Sequence, residues 1–305
     1  MIYPKRLKRG DTIGLIAPAG PVDVDRLNQA VAFYETLGLC VKLGQNIDRV
    51  YGYLAGRDTE RLGDLHAMVA DPTVKAIMFA RGGYGTGRLV SDIDEGLIRT
   101  HPKIFWGYSD ITYLHIAIQK RTELITFHGP MAVSDVAKAT FDPLSARLFS
   151  QLFAPSTLIY GEQIAPLHVY AHGEAKGRLA GGNLSLIIST LGTPDEIDTD
   201  GKLLLLEDIG EEPYKIDGML NQLQRSGKLA GAAGIVLGHF TRAQPHVKPS
   251  LLLKEVFNDY FAHLNIPVIG GFEIGHSLPN LAVPLGARAY LSTDSKRLVV
   301  EPGVT

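Results

Sequence analysis

The sequence holds one cysteine in 305 residues. A lone thiol cannot close an internal disulfide, and a paired-cysteine metal site is excluded with it. Cys40 lies in the apolar stretch Leu39-Cys40-Val41, where a small buried hydrophobe is expected rather than a nucleophile. The H-E-x-x-H pattern is also missing, and no histidines and aspartates cluster at ligand spacing, so neither a metal nor a cofactor is expected.

Long apolar runs are lacking too. The basic segment Met1 to Asp11 is followed only by Ile13 to Ala17, too short for a signal-peptide core or for the ~20 residues of a membrane span. The expectation is a cytoplasmic protein with no membrane partner. Nor is there an excess of one charge: 30 lysines and arginines face 32 aspartates and glutamates, for a formal net charge of -2. Without a basic footprint, no nucleic-acid partner is expected. Internal repeats and low-complexity segments are absent as well.

What is present is the profile of a globular enzyme, 45% hydrophobic and 20% charged. The length is about twice the usual domain size, which favours two cores. In the first half, Thr12 to Ala17 reads as a strand ending in the loop Pro18-Ala19-Gly20-Pro21. A helix follows, capped by Asp23, with Leu27, Ala30, Val31, Tyr34 and Leu37 at helical spacing and Gly38 as its stop. Cys40 to Leu43, Ala76 to Ala80 and Lys103 to Gly107 repeat the strand signal, and Thr59 to Val69 repeats the helix. This alternation predicts a flavodoxin-like parallel sheet with helices on both faces, with ligands at the carboxyl ends of its strands.

From Asp142 to His172 the pattern loosens around one expected helix, Ser145 to Phe153. A domain junction is expected there: residues 1–155 form an N-terminal α/β domain, 156–172 a linker, and 173–305 a smaller mixed α/β domain. The second half offers strands at Leu203 to Leu206, Gly234 to Leu237 and Pro267 to Gly270, and helices at Tyr214 to Arg225 and Leu251 to Ala262.

Four segments could carry chemistry. In Phe105-Trp106-Gly107-Tyr108-Ser109-Asp110-Ile111 a serine sits between an apolar strand and a helical run, the setting of a nucleophile elbow, although Ile111 replaces the last glycine of G-x-S-x-G. The Asp110 N–H lies at a helix start, where it can hold an oxyanion; alternatively Ser109 merely caps the helix. Arg81-Gly82-Gly83-Tyr84-Gly85-Thr86-Gly87 is a glycine-rich turn from which Gly83 is the candidate second oxyanion donor. A dinucleotide fingerprint is the competing reading, but the turn is not the first after a strand and lacks G-x-G-x-x-G spacing.

Four leucines, Leu203 to Leu206, form a buried strand that delivers Glu207 at its end. A desolvated carboxylate there needs a partner such as an imidazole N–H, unless it is simply a surface acid. His276 stands in the glycine-flanked loop Gly270-Gly271-Phe272-Glu273-Ile274-Gly275-His276, one of ten histidines of which most are expected at the surface. The chain order Ser, Glu, His is one of those known for catalytic triads.

Together with Ile16-Ala17-Pro18, Thr126-Phe127-His128-Gly129-Pro130 and Gly181-Gly182-Asn183-Leu184, these segments make a chain that resembles the LD-carboxypeptidases over nearly its whole length. These are serine peptidases of the murein-recycling type, which include the microcin-immunity peptidases. The resemblance implies a Ser109, Glu207, His276 triad, an oxyanion site at Gly83 and Asp110, and a homodimer. It also implies removal of the terminal D-alanine from a murein tetrapeptide.

A free terminal carboxylate needs a cation or unpaired N–H groups, and Arg81 is the nearest candidate cation unless it braces its own loop through an acid. Tyr84, Tyr108 and Asn183 are candidate walls of the substrate site. Gly218 departs from the arginine usual in relatives. The alternatives are a microcin-immunity-type amidase acting on a peptide–nucleotide conjugate, another amide or ester hydrolase with the same triad, and a non-catalytic small-molecule-binding module.

Overall fold

The computed structural model describes all 305 residues. In chain order the first half comprises β1 (Thr12–Ile16), α1 (Val24–Thr36), β2 (Cys40–Leu43), α2 (Asp58–Ala70), β3 (Val74–Phe79), α3 (Glu95–Thr100), β4 (Ile104–Trp106), α4 (Thr112–Thr122) and β5 (Thr126–His128). The Asp23 carboxylate caps α1 by accepting from the amides of Asp25 and Arg26, and Gly38 follows the helix with φ of 82°. Leu27, Ala30 and Tyr34 form the buried stripe of α1.

The second half runs α5 (Pro143–Arg147), β6 (Leu158–Gly161), β7 (His168–Ala171), β8 (Glu174–Asn183), α6 (Leu184–Thr190), β9 (Leu203–Ile209), α7 (Pro213–Arg225), α8 (Lys228–Gly231) and β10 (Gly234–Thr241). It ends with α9 (Leu253–Phe261), β11 (Val268–Gly270), β12 (Val283–Leu285), β13 (Arg288–Ser292) and β14 (Arg297–Val300). No helix is long and apolar enough to cross a membrane.

Two sheets result. The first has the order β12-β5-β4-β3-β1-β2, whose five parallel strands follow the flavodoxin arrangement, with β12 added antiparallel at one edge. Apart from exposed Lys75, its central strands β3 and β4 are apolar and buried because both faces are covered. The second sheet has eight strands in the order β6-β14-β13-β8-β9-β10-β11-β7. Strands β8 to β11 pair in parallel and the flanking ones antiparallel, so the mixed character expected holds. By strand number this sheet is the larger of the two.

Several local expectations change. Residues 156–172 are not a bare connection, since β6 and β7 lie there and form the two edges of the second sheet. The helix expected over Ser145 to Phe153 is α5 followed by a 3₁₀ turn, Leu148–Leu152. Cys40 is exposed rather than buried, because β2 is the edge strand of its sheet and most of its side chains face outward.

One apolar core spans both sheets: Leu15, Trp106 and Phe127 of the first share a buried cluster with Leu205, Val236 and Ile269 of the second. The two halves are therefore fixed against each other. The loops leaving β3 and β4, the end of β9 and the loop after β11 open into the same region, which is where the site forms.

Candidate active site

Ser109 leaves β4 through Gly107 and Tyr108 and begins a 3₁₀ turn, Ser109–Ile111, that leads into α4. Its φ of 62° is left-handed, a conformation that costs a non-glycine residue about 1–2 kcal/mol. Such strain is held only where the surroundings over-determine it. Here Thr86 supplies part of that restraint: its amide donates to Asp110 Oδ2 (2.9 Å) and its hydroxyl to the Asp110 carbonyl (2.6 Å). The glycine-rich turn after β3 is thereby tied to the serine turn after β4.

Gly82 is where the two turns meet. A Cβ at this position would stand 3.0 Å from the Ser109 Oγ and 3.4 Å from the Asp110 amide nitrogen. Gly83 has φ of 124°, open to glycine alone at low cost. Neither the Gly83 nor the Asp110 N–H donates to any protein acceptor, so two amides remain available beside the hydroxyl.

Glu207 is wholly buried within β9. The loop after β11 carries His276 to it: His276 Nδ1 lies 2.8 Å from Glu207 Oε2, and Nε2 lies 3.1 Å from Ser109 Oγ. With the proton on Nδ1, the imidazole donates to the carboxylate and accepts from the hydroxyl. Gly275 makes this possible, because with φ of 110° any Cβ there would run into the Glu207 carboxylate. Asn280 braces the same loop by accepting from the Gly275 amide at 3.2 Å.

Burial alone would push the Glu207 pKa up, but the neighbouring His276 charge and hydrogen bond outweigh it and hold the carboxyl below its usual range. For His276, burial works against the charged form, yet Glu207 outweighs it and raises the imidazole above its ordinary value. A hydroxyl, an imidazole and a carboxylate in line, beside two free amides, can activate a nucleophile and receive an oxyanion.

The remaining residues singled out from sequence divide. Arg81 donates from Nε to the Gly82 carbonyl (3.2 Å) and from Nη1 to the Pro21 carbonyl (3.1 Å), and it pairs with no acid. It borders a cavity of about 630 Å³ together with Gly20, Pro21, Tyr53, Gly83 and Tyr84. Tyr84 is 56% exposed and packs edge-to-face on Tyr53 with ring centroids 5.6 Å apart.

Tyr108 and Asn183 do not form open walls. The Tyr108 ring is buried 4.7 Å from the His276 ring, and its hydroxyl donates to Asp135 Oδ1 at 3.1 Å. The Asn183 amide donates to Asp208 Oδ1 (3.1 Å), its oxygen caps α6 by accepting from Leu186, and its side chain is buried. Both therefore frame the site from behind. Gly218 is exposed on α7 with open space where a Cβ would stand, so its departure leaves the site geometry untouched.

Sequence reasoning singled out the turn that holds Gly82 and Thr86 but gave neither residue a role, and it did not find Asp135, Asn280 or Tyr53. Each acquires its contact through the tertiary fold. No three His, Cys, Asp or Glu side chains are grouped as a metal ion would require.

A family model described as the LD-carboxypeptidase N-terminal domain matches residues 13–129, and one described as the LD-carboxypeptidase C-terminal domain matches residues 176–291. The chain is 52% identical over 303 residues to a probable murein peptide carboxypeptidase of Bacillus subtilis, covering 99% of this chain and 95% of that one. It is 32% identical over 295 residues to a murein tetrapeptide carboxypeptidase of Pseudomonas aeruginosa, covering 93% and 94%. The crystal structure of a muramoyltetrapeptide carboxypeptidase from Oxalobacter formigenes matches with a TM-score of 0.86 at 29% identity, covering 96% of this chain and 100% of that one.

Proposed function

Because this chain belongs to the LD-carboxypeptidase family, we propose that it is a serine carboxypeptidase that removes the C-terminal D-alanine from murein tetrapeptides. The observation that carries the reading is the line from Ser109 Oγ through His276 to Glu207, at 3.1 and 2.8 Å, beside the free amides of Gly83 and Asp110.

In this reading His276 Nε2 takes the Ser109 proton as Oγ attacks the carbonyl carbon preceding the D-alanine. The oxygen of the tetrahedral intermediate accepts from the Gly83 and Asp110 amides. Glu207 holds the imidazole in the tautomer that can accept at Nε2, and stabilises the imidazolium once it forms. His276 returns its proton to the departing alanine nitrogen, leaving an ester on Ser109. It then takes a proton from water, which attacks the ester, and hands that proton back to Ser109 as the shortened peptide leaves.

Arg81 is the cation offered to the substrate's terminal carboxylate, since no protein acid neutralises it and it borders the cavity next to Gly83. On the same reading the enzyme works in the cytoplasm and as a homodimer, which size-exclusion chromatography coupled to light scattering tests directly. The decisive experiment is incubation with purified murein tetrapeptide and detection of released alanine by mass. Release by the wild type, its loss in Ser109→Ala, and no cleavage of the matching L,L-ended peptide are expected. An unaffected Ser109→Ala variant excludes the mechanism.

A further inference from the structure

The scheme above leaves a buried imidazole near Glu207 without a task. His128, at the end of β5, is completely buried, and neither of its ring nitrogens has a hydrogen-bond partner. Its ring lies 5.5 Å from that of Tyr108, the residue that packs on His276. On its other side is Gly182 of β8, where a Cβ would stand 3.4 Å from His128 Nδ1. Gly182 precedes Asn183, the register partner of Glu207.

Glu207 has the complementary deficit. Its Oε2 accepts from His276, but its Oε1 is buried without a partner. A buried imidazole with an idle N–H and a buried carboxylate with an idle oxygen thus lie in one buried region, with the Asn183 amide also near the carboxylate. Each is expensive alone, and a hydrogen bond between them satisfies the carboxylate oxygen and one of the two ring nitrogens.

We propose that His128 is a positioning residue whose ring N–H supports Glu207 Oε1 through one internal water. The carboxylate is then held on both oxygens by imidazoles, His276 on one and His128 on the other, which fixes its plane and aims Oε2 at Nδ1 of His276. This deepens the triad reading and rests on it.

The two imidazoles differ in burial and partners. Burial, aided by the nearby His276 charge, outweighs the pull of Glu207 and takes His128 down to about 4, so it stays neutral where His276 titrates. A neutral donor can hold the carboxylate without competing for the proton that His276 carries. The ionisable groups around His128 are Glu207 from β9, His276 from the loop after β11, His115 from α4 and Tyr108, which leads on to Asp135.

The test compares His128→Phe, which keeps a ring without a donor, with His128→Asn and His128→Gln, which keep an N–H. Three quantities are read: kcat and KM for D-alanine release, the pH profile of kcat/KM, and the rate at which a fluorophosphonate labels Ser109. His128→Phe is expected to lower kcat and the labelling rate by about tenfold or more at unchanged KM. The acid limb should move toward the ordinary histidine range, because a loosened Glu207 supports the imidazolium less well. At least one of the amide variants should recover most of the loss.

A folded His128→Phe protein with wild-type kcat, labelling rate and pH profile overturns the proposal. So does equal loss in all three variants tracking their melting temperatures. Failure of the wild type to release D-alanine while Ser109 labelling still depends on the His128 donor overturns the substrate reading alone.

Discussion

Gly82 lies against Ser109 so closely that a Cβ on the glycine would stand 3.0 Å from both Cβ and Oγ of the serine. The contact joins the turns after β3 and β4, and the two free amides of the site lie on either side of it.

Gly82→Ala therefore has to displace the hydroxyl, the Asp110 amide or both. Removing one oxyanion donor costs roughly 10²–10³ in kcat, and a loss of at least about 10² is expected here. Because no positive φ is involved at Gly82, the fold should survive; circular dichroism and thermal melting separate this from unfolding.

Arg81→Ala tests terminal-carboxylate recognition apart from the chemistry. The wild type should prefer a tetrapeptide acid over its C-terminal amide. In the variant that preference should shrink, with KM for the acid rising more than kcat falls. An unchanged preference leaves Arg81 as a brace for the Pro21 and Gly82 carbonyls and nothing more.

The pH dependence follows from the two shifts at the triad. His276 must be neutral to accept the Ser109 proton, and Glu207 raises its pKa above the ordinary 6.5, so the acid limb of kcat/KM should have its midpoint above 6.5. Glu207→Gln removes the charge and should move that midpoint down while lowering kcat.

Folding stability carries the same signature. The raised His276 pKa contributes stability fully present below 6.5 and lost as pH rises through the folded value. The depressed Glu207 pKa contributes stability present above 4.5 and lost as pH falls through its folded value. The pair should thus favour the fold most between those limits, and urea midpoints measured against pH in wild type and Glu207→Gln should differ most in that window.

Gly218→Ala addresses the one position expected to depart from relatives. The residue is exposed in the interior of α7 and nothing lies within 4 Å of where the Cβ would go. Alanine should stabilise the protein by roughly 0.5–1 kcal/mol through lower chain entropy in the unfolded state. The thermal midpoint should rise and kcat should not change.

Much of the site is legible locally. Apolar Phe105 and Trp106 before Tyr108-Ser109-Asp110 specify a strand breaking into a helix, and the leucines before Glu207 specify a buried strand that carries a carboxylate, although β9 runs two residues past it to Ile209. Gly275 beside His276 signals a backbone that only glycine adopts easily. These are short-range patterns, written in residues that touch their neighbours in sequence. β8 was not legible in the same way, because its lysine, arginine and three glycines give no strand pattern, and it becomes a strand by pairing with β9 and β13.

Convergence was decided only by the tertiary structure. The Ser109–His276 contact joins residues 167 positions apart, and it exists because one apolar core locks the two sheets together. The same packing exposed Cys40 on an edge strand, turned Asn183 and Tyr108 from walls into supports, and packed the His128 ring against Tyr108. Local preference sets which way a strand or turn runs; which side chains meet depends on how whole sheets bury their faces against each other, and no window of sequence contains that information.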